Sequence, residues 1–117
     1  MKTSELIGPA LDWAVAKCEG AMMPVGNVLL IGCQLFIAVG NDTSDKMEFS
    51  PSIDWAQGGP IIEREGIYCG PHGKSLYVAW MGGDHFTQYG PTILIAGLRT
   101  YVASKLGYEI EIPEELK

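Results

Sequence analysis

The chain lacks the motifs that identify metalloproteins, redox proteins and nucleotide-binding enzymes. Its three cysteines, Cys18, Cys33 and Cys69, form no C-x-x-C pair, and its two histidines, His72 and His85, are far from each other in sequence. Neither a zinc site nor a redox pair is therefore indicated. Neither G-x-G-x-x-G nor G-x-x-x-x-G-K-[ST] occurs, which excludes the standard phosphate-binding loops. We expect no metal and no cofactor.

Basic residues and long apolar runs are also scarce. The 117 residues include 8 lysines and arginines against 14 acids, a formal net charge of −6. Such a chain is not expected to bind duplex nucleic acid, because phosphates attract clustered basic side chains. No apolar run reaches the roughly 18 residues of a membrane span, and residues 1–6 contain no signal-peptide core. These absences predict a cytosolic protein with no membrane partner.

The composition that remains is typical of a folded domain. Hydrophobic residues make up 47% of the chain and charged residues 19%, and the mean hydropathy is +0.12. A disordered chain of this length has fewer apolar residues and a higher charge content. We therefore expect residues 1–117 to form a single domain.

Two segments are predicted to be helices because proline precedes and glycine follows an apolar stripe with helical spacing. The first covers about residues 9–19 and the second about residues 91–106. The stripes are Leu11, Ala14, Val15 and Cys18 in the first, and Ile95, Leu98, Val102 and Leu106 in the second. The second helix is apolar on more than one side, which predicts burial in the core or at a subunit contact. We expect a homodimer or a higher homo-oligomer on this basis.

The remaining regular segments favour strands because β-branched and aromatic residues alternate between turn clusters. A polar loop at residues 70–73 predicts a hairpin between its two flanking strands. The expected fold class is therefore α+β, a mainly antiparallel sheet packed with two helices. The predicted strand segments are residues 28–31, 35–39, 46–49, 66–69, 74–80 and 108–113.

Residues 52–65 hold the densest group of candidate binding residues. An exposed Trp55 would stack on a planar ring, Gly58 and Gly59 would let a ligand approach the backbone, and Arg64 would pair with a phosphate or carboxylate. Gln57 adds an amide. The same residues also fit a packed surface loop in which the indole fills the edge of the core and the arginine pairs with a neighbouring acid.

The predicted start of the second helix is a further candidate. Unpaired N–H groups at a helix N-terminus attract anions, and Thr92 would add a hydroxyl there, although it could also serve only as a cap. The proposed ligand site, within one chain or across a dimer, consists of Trp55, Gln57, Gly58, Gly59, Arg64, Thr92 and Arg99.

The uneven charge leaves two other functions open. Residues 67–108 carry three bases and one acid, whereas residues 41–66 carry six acids and two bases. The acidic segment, with Glu63 and Glu65, could be the docking face of a module that inhibits a host enzyme. A small hydrolase using Asp54, Glu63, Glu65 or His72 is the third possibility, but no residue is assigned a catalytic role.

Three blocks of the sequence resemble a family of small phage proteins. Residues 11–20, residues 50–67 and, at the end of the chain, residues 90–99, 101–107 and 111–116 are similar to the NinX-like proteins of temperate phages and prophages. The resemblance implies a phage origin and a place in the host bacterial cytoplasm. The family has no known activity, so it supplies no catalytic residue. Accessory phage genes often counter host defence, and the leading hypothesis is therefore a non-enzymatic protein that sequesters a small anionic, nucleotide-derived ligand.

Overall fold

The computed structural model describes residues 1–22, 28–31, 34–38, 46–83, 85–112 and 114–116. Its elements follow one another as a short 3-10 helix, a long helix, three strands, a second helix, three more strands, a third helix and a final 3-10 turn. In chain order they are Thr3–Glu5, α1 (Gly8–Met22), β1 (Val28–Ile31), β2 (Gln34–Ala38), β3 (Lys46–Glu48), α2 (Trp55–Glu65), β4 (Tyr68–His72), β5 (Leu76–Met81), β6 (His85–Gly90), α3 (Ile93–Leu106) and Glu114–Leu116.

The strands form two antiparallel sheets, which confirms the α+β class. One sheet has the order β1-β2-β3 and the other β4-β5-β6. In the second sheet Tyr68 pairs with Trp80, and Ala79 pairs with both Cys69 and Gln88. Because side chains alternate along a strand, Ala79 and Gln88 share the face towards the helices. None of the helices in the described ranges combines the length and apolar character needed to cross a bilayer.

Helix α3 is the centre of the core. It packs against all three strands of the second sheet and against α1 and α2, and its residues 94–103 are all buried. The stripe that was predicted for α1 is buried as well, with Leu11, Ala14 and Val15 at 0% exposure. Packing within one chain therefore explains why α3 is apolar on more than one side. The apolar character of α3 thus no longer supports a homo-oligomer, which stays a prediction.

Helix α2 was not predicted, because residues 52–65 were interpreted as a loop. Gly58, Gly59 and Pro60 all disfavour a helix interior, yet the segment is helical throughout. Both ends are capped: the Asp54 carboxylate accepts a hydrogen bond from the Ala56 N–H, and Gly66 takes the left-handed conformation at φ 65°. The two caps and the close packing of Gly58 against Leu94 of α3 outweigh the low helix propensity of the glycines and the proline.

Two further predictions need correction. Residues 85–90, which were not among the predicted strand segments, form strand β6 and complete the second sheet as one of its two edge strands. Of the predicted last strand, the described residues 108–112 do not form a strand: Glu109 makes an isolated bridge with Lys2, and the segment follows the N-terminal 3-10 turn through the bond from the Thr3 N–H to the Tyr108 carbonyl, 2.8 Å. The cluster of glycine, asparagine, aspartate, threonine and serine at residues 40–45 predicts a turn, but these residues lie outside the described ranges.

Candidate functional site

The seven predicted ligand residues do not meet in one cavity. Trp55 and Thr92 line one cavity and Arg99 lines another. Gln57, Gly58 and Gly59 lie within α2 and support its packing, and Arg64 lies at the end of that helix in ion pairs. The structure therefore separates the aromatic ring from both guanidinium groups.

The larger cavity, here the Trp55 cavity, has a volume of about 430 Å³ and lies between the start of α2 and the start of α3. The Trp55 ring at its edge is 57% exposed and the neighbouring Ile53 is 75% exposed. Most of its lining is apolar, which is usual for small-molecule sites. The lining residues are Ser52, Ile53, Trp55, Tyr77, Pro91, Thr92, Ile93, Leu94 and Ile95.

The first turn of α3 lines the Trp55 cavity. Thr92 is the N-cap, and its hydroxyl oxygen accepts from the Ile95 N–H at 3.1 Å. The Ala96 N–H donates to the Thr92 carbonyl as the first bond of the helix. The N–H groups of Ile93 and Leu94 belong to the turn that has no intrahelical acceptor, and they lie where the helix dipole is positive. Thr92 thus caps the helix and lines the cavity at once.

The polar and small residues of α2 hold this side of the cavity in place. Gln57 bridges α2 to the end of the first sheet: its Oε1 accepts from the Ser50 N–H at 2.7 Å, and its Nε2 donates to the Glu48 carbonyl. Gly58 is buried, and a β-carbon there would overlap the carbonyl oxygen of Pro51. At Gly59 a β-carbon would lie 3.3 Å from the indole of Trp55. Glycine therefore lets the indole ring rest against α2.

Arg64 joins the three helices. Its Nη2 lies 2.6 Å and its Nη1 3.2 Å from the two carboxylate oxygens of Glu19 on α1, and its Nε lies 3.0 Å from Glu65. The hydroxyl of Tyr101 on α3 also donates to Glu19 at 2.9 Å. The hydrogen bonds with Glu19 raise the pKa of the Arg64 guanidinium. This cation is therefore neutralised by carboxylates of its own chain, as one of the interpretations above expected.

Two of the acids that were considered for catalysis or docking, Asp54 and Glu65, have structural partners, whereas Glu63 is exposed. Asp54 caps α2, whereas Glu65 at the other end of the helix pairs with Arg64 and with Lys105 at 3.4 Å. Burial by itself would raise the pKa of Glu65, but the hydrogen bonds and positive charges of Arg64 and Lys105 lower it.

Within the described ranges, no group of three histidines, cysteines or acids could hold a metal ion. Burial raises the pKa of Cys18 to about 12 and also raises that of Cys69, so neither is a ready nucleophile.

Asp12 on α1 supports the Ser52 wall of the Trp55 cavity. It is 4% exposed, and its carboxylate accepts from the Ser52 N–H at 2.9 Å. Burial raises the pKa of Asp12 to about 6, although hydrogen bonds from Ser52 oppose the change. The sequence pattern placed Asp12 away from the apolar stripe, and its distant partner could not be seen there. Ser52, Tyr77 and the exposed Ile53 are cavity residues that sequence reasoning also missed.

We expect Asp12→Asn to stabilise the protein at pH 7 by about 1–3 kcal/mol, since each pKa unit is worth about 1.4 kcal/mol. The pKa of Asp12 is higher in the folded than in the unfolded state. The protonated carboxyl group therefore favours folding at low pH, and this contribution to stability is lost as the pH rises through about 6. Urea denaturation between pH 4 and pH 8 measures the effect. Asp54→Asn is the control, because it removes the same charge while asparagine remains a good N-cap. Identical pH profiles for the two variants would contradict the assignment.

The chain matches a known protein family over most of its length. The family model described as Bacteriophage P22, NinX matches residues 2–105 of the chain. This range includes α1, α2 and all but the last residue of α3. A search of the curated proteins finds no matching relative.

Proposed function

The chain belongs to the NinX family of bacteriophage proteins, and we propose that it is a non-enzymatic accessory protein that binds a small planar, anionic ligand. The observation that carries this proposal is the Trp55 cavity, a space of about 430 Å³ between an exposed indole and the first turn of α3. This volume lies within the roughly 300–1,000 Å³ that is usual for small-molecule sites.

The indole favours a flat ligand. Trp55 lies at the first position of α2, and its ring rests against the helix at Gly59 while 57% of the residue stays exposed. Tyr77 and Leu94 supply further apolar surface in the cavity. A base or another aromatic ring that stacks on an exposed aromatic side chain gains about 1–3 kcal/mol.

The start of α3 favours an anionic group on the same ligand. The N–H groups of Ile93 and Leu94 open the helix beside the cavity, and Pro91 contributes no N–H of its own. A phosphate at such a helix end accepts backbone hydrogen bonds and is attracted by the helix dipole. A planar ring joined to a phosphate is the chemistry of a nucleotide, so the proposed role is sequestration of a nucleotide-derived signal of the host.

Removing the ring of Trp55 should abolish this binding. We expect cyclic nucleotides or ADP-ribose derivatives to bind the wild-type protein, and Trp55→Ala to weaken the affinity at least tenfold through loss of stacking. Isothermal titration calorimetry measures the affinity. Trp13→Phe is the matched control, since Trp13 is a partly buried residue of α1 that contacts Lys17 outside this cavity.

Two results would overturn the proposal. One is the absence of heat with every member of the ligand panel while circular dichroism shows an intact fold. The other is binding that Trp55→Ala leaves unchanged. Recovery of a chemically altered ligand after incubation would instead contradict the non-enzymatic role.

A further inference from the structure

The second sheet has one face covered by α3 and one open face. Ala79 and Gln88 lie on the covered face and are buried. Because side chains alternate along a strand, Tyr68, Leu76 and Tyr89 lie on the open face, and they are 56%, 44% and 45% exposed. A sheet face in contact with water usually carries polar side chains, so these large exposed residues indicate a contact surface. The open face also includes Gly70, His72, Val78 and Trp80.

Two pairs of rings form separate ridges on the open face. Tyr68 of β4 and Trp80 of β5 are stacked, with ring centroids 5.8 Å apart and planes at 10° to each other. His72 of β4 and Tyr89 of β6 meet edge to face at 5.0 Å, so the second pair crosses above β5. Tyr68 and His72 are four residues apart on one strand, which separates the two ridges by about 13 Å.

A groove lies between the two ridges, and its floor is formed by Gly70 and Val78. These residues are partners in the register of β4 and β5. Gly70 has no side chain, and a β-carbon there would meet nothing within 4 Å, so the space above it is open. The groove crosses three strands spaced about 4.8 Å apart, which gives it a length of about 14 Å. Packed layers of side chains are about 10 Å apart, so the groove admits one extended chain.

The side chains of the open face disfavour nucleic acids and sugars as ligands. None of the residues of β4, β5 and β6 is an acid, a lysine or an arginine, and Lys74 lies in the turn between β4 and β5. Nucleic acids bind to clustered basic side chains, which this sheet lacks. The open face also lacks the amides and carboxylates that bind the hydroxyl groups of a sugar. An uncharged ligand that packs against rings is favoured instead.

The size of the open face disfavours a folded partner. Three strands of about six residues cover roughly 14 by 20 Å, or about 300 Å². Stable protein pairs, including two copies of one chain, bury about 800 Å² on each partner. The open face by itself therefore fits a short linear segment better than a second copy of the chain.

We propose that the groove binds a short proline-rich segment of another protein in the polyproline II conformation. Such a chain rises about 3.1 Å per residue, so about four to five residues span the groove. Proline-rich segments dock in aromatic-lined grooves, and the tyrosine and tryptophan side chains carry donors for the free carbonyl groups of the ligand. The net charge of −6 favours basic residues beside the prolines. None of the residues of the open face lines the Trp55 cavity, so this proposal does not depend on the function proposed above.

The test titrates the full chain with a peptide of ten prolines flanked by lysines, followed by the NMR signal of the Trp80 indole N–H. We expect saturable binding that Gly70→Leu weakens at least tenfold, because leucine fills the groove without meeting the fold. Gly82→Leu is the matched control: Gly82 lies in the turn between β5 and β6, and a β-carbon there also meets nothing within 4 Å. A glycine-serine peptide with the same lysines should bind at least tenfold more weakly, because it is not preorganised.

Further variants and probes separate the outcomes. Tyr68→Ala and Tyr89→Ala, one from each ridge, should each weaken binding at least fivefold, whereas Trp55→Ala should leave it intact. The proposal is overturned if the folded wild-type protein does not bind the proline peptide, if Gly70→Leu and Gly82→Leu bind it equally, or if the glycine-serine peptide binds as tightly. It is also overturned if chitohexaose or oligothymidine binds the groove more tightly than the peptide, or if sedimentation shows a dimer that Tyr68→Ala dissociates.

Discussion

Replacing Gly58 by alanine should lower the free energy of unfolding by about 1–2 kcal/mol after the gain in helix propensity is subtracted. The new β-carbon would overlap the carbonyl oxygen of Pro51 and lie 2.8 Å from Leu94 Cδ2. The Pro51 oxygen belongs to the backbone of the turn before α2, so this overlap can be relieved only by shifting that turn relative to the helix, and the Leu94 contact requires α2 to move away from α3. Overpacking of this kind costs about 1–3 kcal/mol and sometimes more, which exceeds the roughly 1 kcal/mol that alanine contributes to a helix.

The adjacent Gly59 provides a matched control for this prediction. A β-carbon at Gly59 would meet the Trp55 ring at 3.3 Å, and an exposed side chain can shift by the small distance required. Gly59→Ala should therefore change stability by less than about 1 kcal/mol, because gained helix propensity offsets the contact. Urea denaturation of both variants checks the difference. Equal losses of stability would mean that Gly58 does not set the approach of α2 to α3.

Replacing Arg99 by methionine should lower the free energy of unfolding by about 2–4 kcal/mol. The guanidinium satisfies the carbonyl oxygens of Leu6 and Tyr89. Methionine fills much of the same volume but leaves both acceptors without a donor, and each unsatisfied buried group costs about 1–3 kcal/mol. The bonds also join α3 to β6 and to the N-terminal segment, so those connections should loosen.

Arg64→Met is the control for Arg99→Met. The Arg64 side chain is 41% exposed and bonds to Glu19 and Glu65. Exposed ion pairs contribute about 0–1 kcal/mol, so we expect a loss of about 1 kcal/mol or less. Thermal and chemical denaturation of both variants in one buffer give the comparison. A larger loss for Arg64→Met than for Arg99→Met would contradict this assignment of roles.

The sequence pattern alone predicted the fold class and the positions of two helices. Proline before and glycine after an apolar stripe are local signals, and they placed helices close to the observed α1 and α3. The alternation of residues 74–80 predicted a hairpin strand that is observed as β5, Leu76–Met81, but the predicted loop at residues 70–73 is wrong because β4 continues to His72. Such features depend on neighbours only a few residues apart, so a linear sequence contains them.

Helix α2 shows where local reasoning stops. Its glycines and Pro60 indicate a loop by propensity, whereas Asp54 followed by Gln57 and the spacing of Gly58 and Ile61 were a weak helix signal. The helix forms because Gly58 fits against Pro51 and Leu94. The second of these contacts joins residues that are far apart in sequence, so its energy depends on the folded chain.

The sequence by itself determined the α+β class, the acidic character and the family resemblance, and two of the seven residues that it grouped into one site, Trp55 and Thr92, line one cavity. Only the tertiary structure decided the roles of the two arginines. Arg64 meets Glu19 from another helix, whereas Arg99 meets two backbone carbonyls and a cavity that contains Gln88. The physical reason is that a guanidinium acts through whatever charge folding places within a few ångströms, and its own sequence neighbours do not specify that partner.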